Sequence, residues 1–193
     1  MEEDKDLLKK YNQLYLQMIL RYKDHIEDKE NLNVAELPKL ITPDDNDVMN
    51  IANRIKNALG TYSYGQNFIN AAKLAYEYVK NEISVVSLPI EFWLRPSDTI
   101  KCSAGDVMDK ATLLCSALIA LGNVSSKVVT VVKPSERRFL VYCEFDGKII
   151  ALDLDRGFIQ FEDRDKMLQS LTLNDGEDTT AYEFNDKMYN NLA

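Results

Sequence analysis

The chain is poor in the side chains on which many hydrolytic and nucleic-acid-binding sites are built. Its 193 residues include one histidine, His25, and one tryptophan, Trp93. His25 falls on the polar side of an N-terminal helix, so general-base chemistry by an imidazole has no second source. The three cysteines, Cys102, Cys115 and Cys143, show no C-x-x-C spacing, which excludes a disulfide framework and a cysteine-based zinc site. Reduced thiols follow, and no metal or cofactor is expected. Cations are also in short supply: 23 Lys and Arg stand against 31 Asp and Glu, for a net charge of -8. Without clustered Lys and Arg, phosphate contacts and hence nucleic-acid binding are excluded, and the charge serves solubility. No apolar run approaches the roughly 20 residues needed to cross a bilayer. The opening "MEEDKDLLKK" lacks the basic-then-apolar order of a signal peptide. A cytoplasmic protein with no membrane contact is expected.

What is present is enough apolar sequence, 46%, for one sizeable core. The periodicity divides the chain into an N-terminal helix and connector (1–41), a main domain (42–160) and a polar tail with short helical turns (161–193). Leu7, Tyr11, Leu14, Tyr15, Met18, Ile19 and Tyr22 recur every three or four residues, predicting an amphipathic helix over 3–28. Its tyrosine-rich stripe is expected to dock on the chain's own core, with pairing to another chain as the alternative. Residues 29–41 have no sustained period and read as a connector. "TPDDNDVMNIANRIKNALG" predicts a helix capped by Thr42, with Pro43 at its first position and Gly60 as its stop. A further helix is expected over 64–82, followed by an irregular segment between Pro89 and Pro96 that holds Trp93. The stretch from Asp106 to Leu121 is apolar nearly all round, so it belongs in the middle of the domain. Then the period changes to two. "KVVTVV", "RRFLVYCEF" and "KIIALDL" read as strands, and Asp146-Gly147 between the last two is a strong hairpin signal. The fold class is therefore α+β: a helical N-terminal part and a central buried helix packed against an antiparallel β-meander. "NDGEDTT" is expected to be a mobile loop.

The run "LRPSDTIKCSAGDVMDKATLLCSALIALG", followed by "KVVTVV" and "RRFLVYCEFDGKIIALDL", resembles the transglutaminase-like domain of the papain-like cysteine-protease class. The resemblance covers Leu94 to Leu154, and the helices of 42–82 fit the family's lead-in. It implies a central helix opening with Gly-Asp-Cys, a histidine at the start of the middle strand, and an aspartate near the end of the next. A thiol at a helix N-terminus has its pKa lowered by the dipole, the histidine takes its proton, and the aspartate orients the imidazole. Laid on this pattern, the cysteine position falls on Val107, the histidine position on Arg138 and the aspartate position on Asp153. Valine carries no nucleophile, and arginine is a permanent cation. A shift of one residue would bring Asp106 or Met108 to the nucleophile position, and neither is a thiol.

The resemblance thus implies a transglutaminase-like fold with a degenerate triad at Val107, Arg138 and Asp153. The expected function is a protein- or peptide-binding or scaffold module. Its groove would be lined by Trp93, Cys102, Asp106, Arg138, Tyr142, Asp153 and Asp155. The alternative is a cysteine-dependent hydrolase or acyltransferase using Cys102, placed in the loop leading into the helix, with an unidentified base. Cys115 and Cys143 read as small core hydrophobes. From the hairpin register, Phe145 lies opposite Lys148 and Leu140 opposite Asp153, which sets Arg138 diagonal to Asp153. An Arg138 ion pair with Asp153, Asp155 or both is expected.

Overall fold

The structure is a computed structural model and describes residues 2–24, 34–86, 92–134, 137–171 and 179–192. Helix α1 spans Glu2–Arg21 and closes there, where the amide of Tyr22 bonds back to the carbonyls of Met18 and Ile19. The sequence predicts a helix over 3–28; residues 23 and 24 are again helical, and residues 25–28, His25 with them, lie outside the described residues. Its stripe does not dock. Tyr11, Leu14, Tyr15 and Met18 remain about half exposed.

The expected connector contains a 3₁₀ helix, Val34–Leu40, which corrects the sequence reading. A 3₁₀ turn stacks residues three apart, and here Leu37 and Leu40 line up to enter the core with Ile41. Helix α2, Asn46–Ala58, starts three residues later than expected. Asp45, not Thr42, is its cap, accepting a hydrogen bond from the amide of Asp47 at 2.8 Å, while Thr42 to Asp45 form a turn around Pro43. Gly60, at φ +75°, follows the helix and ends it as expected. Helix α3, Tyr64–Glu82, buries Phe68, Ala71, Ala72, Ala75, Tyr76 and Val79 on one side. Pro89 lies outside the described residues. Pro96 opens a short helix, α4 (Pro96–Cys102), absent from the sequence reading because seven residues are too few to show a period.

A parallel ribbon of β1 (Ser84–Val85) and β2 (Ala104–Gly105) leads into the central helix α5, Val107–Ala120. Every residue of α5 from Met108 to Leu118 is buried, as the all-round apolar sequence predicts. The sheet follows. Strands β3 (Lys127–Val132), β4 (Arg137–Phe145), β5 (Lys148–Asp153) and β6 (Gly157–Phe161) form an antiparallel meander. Asp146 and Gly147 take positive φ in the hairpin turn, and Phe145 pairs with Lys148 and Leu140 with Asp153.

The C-terminal residues are more than a polar tail. After helix α6 (Arg164–Gln169), β7 (Thr180–Phe184) pairs with β3, and β8 (Tyr189–Asn191) extends the sheet to the order β6-β5-β4-β3-β7-β8. The signal was hidden because β7 buries Glu183 beside Phe184, which breaks the apolar/polar alternation. The packed unit therefore takes in residues on both sides of the 42–160 span. Most of "NDGEDTT" lies outside the described residues, and its last residue, Thr180, begins β7.

The two faces of the sheet differ. Val128, Val141, Cys143, Ile150, Leu152 and Phe184 share a core with α2, α3 and α5. Val129, Val131, Leu140, Tyr142, Ile149 and Ala151 form a second cluster, covered by Met167 of α6 and by Leu171. Among the described residues, no helix is long and apolar enough to cross a membrane.

Candidate functional site at the mouth of the central helix

The N-terminus of α5 is built by Gly105, Asp106 and Asp109. The Asp106 carboxylate accepts the Asp109 amide, and the Asp109 carboxylate accepts the Asp106 amide, both at 2.8 Å, a reciprocal capping box. The other Asp109 oxygen accepts the Leu94 amide at 2.7 Å, tethering the chain beside Trp93 to the helix mouth. Gly105 is required by this fold-back, since a Cβ there would lie 2.8 Å from the Cβ of Asp109. Burial, followed by the charge of Asp106, pushes the Asp109 carboxyl up to about 6. Burial also raises Asp106, partly opposed by backbone hydrogen bonds and by the charge of Arg137.

Val107 takes the first position of the helix, half-buried, one residue past the cap. One turn on, Lys110 is buried and its Nζ donates to the carbonyls of Ile83 (2.7 Å) and Lys80 (3.3 Å), closing the C-terminus of α3. Burial, and then the neighbouring Lys80, lower its pKa, while Asp155 works the other way. The charges of Arg137, at the start of β4, and of Asp155, two residues past β5, thus reach the first two turns of α5. The side chains of Arg138 and Asp153 do not join them: they lie on the other face of the sheet, so the expected positions Val107, Arg138 and Asp153 are not brought together.

Arg138 and Asp153 are brought together. Nε and a terminal nitrogen of Arg138 donate to one Asp153 oxygen at 3.0 and 2.8 Å, with side-chain exposures of 11% and 2%. The other oxygen accepts the amides of Asp155 (2.9 Å) and Arg156 (3.0 Å), and the Asp153 carbonyl accepts the Tyr76 hydroxyl at 3.1 Å. Burial alone would raise the Asp153 carboxyl, but the Arg156 amide, Arg138 and the Asp155 amide outweigh it and hold it below its usual range. Both Asp153 oxygens are committed to donors. Along β4 and β5 the pair shares its sheet face with Leu140, Tyr142, Ile149 and Ala151, the face under α6; Phe139, Val141, Cys143 and Leu152 take the α5 face.

The remaining predicted site residues are dispersed. Trp93 is half-buried against the main core. Cys102 is exposed but ends α4 rather than sitting in a loop. Asp155 is exposed, with its amide on Asp153. Tyr142 is buried, and its hydroxyl donates to Glu183 at 2.6 Å. Cys115 and Cys143 are buried; burial pushes both thiols up, Cys143 to about 12.

Sequence reasoning missed the assembly around Glu183. Besides Tyr142, the carboxylate meets Arg164 at 3.0 Å, Asn190 at 3.2 Å and Lys127 at 3.4 Å. A glutamate between Tyr182 and Phe184 was the one available signal, and only strand pairing could supply its partners. Among the described residues, no cluster of three His, Cys, Asp or Glu side chains is arranged to hold a metal ion.

No family model and no curated protein matches the chain. Among solved structures, EGTA-treated LapG of Legionella pneumophila aligns with a TM-score of 0.52 and 12% identity, over 84% of this chain and 87% of that one. A second LapG structure gives a TM-score of 0.47 and 14% identity over 82% and 87%. A chain from Parabacteroides distasonis described as a candidate protease gives 0.44 and 15% over 65% of this chain, which spans 30% of that protein's length. The likeness to EGTA-treated LapG shows the fold: an α+β chain that supports the transglutaminase-like, papain-like arrangement.

Proposed function

We propose that this chain is a transglutaminase-like domain without transglutaminase chemistry, a cytoplasmic module that holds a protein or peptide segment at the mouth of α5. The observation that carries the reading is Val107, an aliphatic side chain at the first position of the central helix, where the family's pattern calls for a thiol. The other two positions offer no base at that mouth: Arg138 and Asp153 neutralise each other on the far face of the sheet, and Asp153 has no oxygen left to orient a base. A binding site needs only shape, backbone groups and a few fixed charges. Trp93, Asp106 and the exposed end of α4 at Cys102 supply the rim of such a site, with no metal or cofactor.

The test has two arms. Purified protein should neither incorporate amines into glutamine substrates nor hydrolyse peptides, and Cys102→Ala should change nothing; turnover abolished by Cys102→Ala would establish the thiol enzyme instead. Peptides selected on the wild-type domain from a displayed library should lose binding to Val107→Arg, whose long cation fills the mouth. Equal binding to both proteins would place recognition elsewhere. Val107→Cys alone checks the mapping of the helix mouth, since position 138 lies on the other face of the sheet and can supply no base there. The new thiol should alkylate with an apparent pKa below that of free cysteine, and an unreactive thiol would reject the mapping.

A further inference from the structure

Helix α1 presents large apolar side chains to solvent along its length. Leu8, Tyr11, Leu14, Tyr15, Met18 and Tyr22 are each between 48% and 60% exposed. A lone 20-residue helix gains little stability in water without an apolar partner for its stripe. The order of charges along the helix says which partner fits. Residues 2–6 hold four acids and one lysine, whereas residues 7–21 hold Lys9, Lys10 and Arg21 and no acid.

The positions Asp4, Leu7, Tyr11, Leu14, Met18 and Arg21 follow one another at alternating spacings of three and four, the seam of a two-stranded helical pair. In a parallel pair of two copies, like positions meet, so Asp4 would fall on Asp4 and Arg21 on Arg21. In an antiparallel pair, Leu7 falls opposite Met18, Tyr11 opposite Leu14, and Asp4 opposite Arg21 at both ends. We propose that α1 is a self-complementary interface through which two copies of this chain associate as an antiparallel, two-fold symmetric helix pair. The seam is only about three heptads long, and Leu8, Tyr15 and Tyr22 beside it widen the apolar contact.

Sedimentation equilibrium of the full chain at micromolar concentration should give twice the 22.1 kDa mass. Leu14→Glu should give the monomer. Asp4→Arg and Arg21→Asp each replace two attractive ends by two repulsive ones, weakening association about tenfold or more. The double swap, Asp4→Arg with Arg21→Asp, should restore it. A monomeric wild-type chain would overturn the proposal, including one that binds anionic vesicles through α1. So would a dimer that survives Leu14→Glu, or a double swap that fails to recover association.

Discussion

The two faces of the six-stranded sheet bury comparable strands by different means. On the α5 face, the buried sheet side chains are apolar apart from Thr130, and a fourteen-residue helix lies across them. On the other face the cover is α6, six residues long, and the sheet keeps Lys127, Arg138, Tyr142, Asp153 and Glu183 among its apolar side chains. A long helix can match a wide apolar surface. A short one leaves part of its cover to polar and charged side chains, and each of these, once buried, must be satisfied locally. The first face is held by apolar contact; the second depends on its ions remaining paired.

Removing the acid at the centre of the second face should have the largest effect. Glu183→Ala leaves Tyr142, Arg164, Lys127 and Asn190 without their common acceptor, and a loss of about 3–5 kcal/mol is expected in urea unfolding. A loss below about 1 kcal/mol would mean that these cations are solvated and that the faces do not differ in kind.

The helix mouth on the first face should reveal itself through pH. Asp109 has a folded-state value of about 6 against 3.8 for the unconstrained group. The native state therefore holds the proton more tightly than the unfolded state, and stability should fall as pH rises through that window, by no more than about 3 kcal/mol. Asp109→Asn should flatten this dependence. Unfolding curves whose slope is unchanged by the substitution would show that Asp109 does not titrate there.

Arg138→Ala should cost about 2 kcal/mol, less than a fully stranded carboxylate, because Asp153 keeps two backbone donors. The sign with pH is opposite to that of Asp109. Asp153 is held below its unfolded value, so its contribution is present above that value and is lost as pH falls through the folded one. Without Arg138 the loss should begin at a higher pH, which acid unfolding of the two proteins would measure. The smallest effect is expected from Tyr76→Phe, about 1 kcal/mol, since it removes the hydrogen bond joining α3 to the end of β5 and a long one accepted from Lys80. A quantitative thiol count sharpens the same comparison: in native protein only Cys102 should react with iodoacetamide, because Cys115 and Cys143 lie in the α5-face core.

Much of the first face was legible in the sequence. The all-round apolar run at 107–121, the period-two strands and the Asp146-Gly147 turn are local signals, and the hairpin register that follows from that turn reaches the second face as well, setting Arg138 diagonal to Asp153. Thr42 misled because Thr-Pro before acids is a strong cap signal, yet Asp45 competes for the same helix start and its carboxylate reaches the Asp47 amide. The rest of the second face, around Glu183, was not legible, because its partners come from β3, β4, α6, β7 and β8 and no window of sequence contains more than one pair of them.

The sequence by itself determined the α+β class, the burial of α5, the hairpin register and the absence of a thiol at the first position of the central helix. These depend on residue identity and on periods of two and 3.6, which are properties of neighbouring residues. Only the tertiary structure decided that the C-terminal residues complete the sheet, that Glu183 gathers three donors and a phenol, and that the tyrosine stripe of α1 stays exposed. Those outcomes depend on which distant segments meet, and a contact between residues far apart in the chain leaves no trace in the local pattern of either.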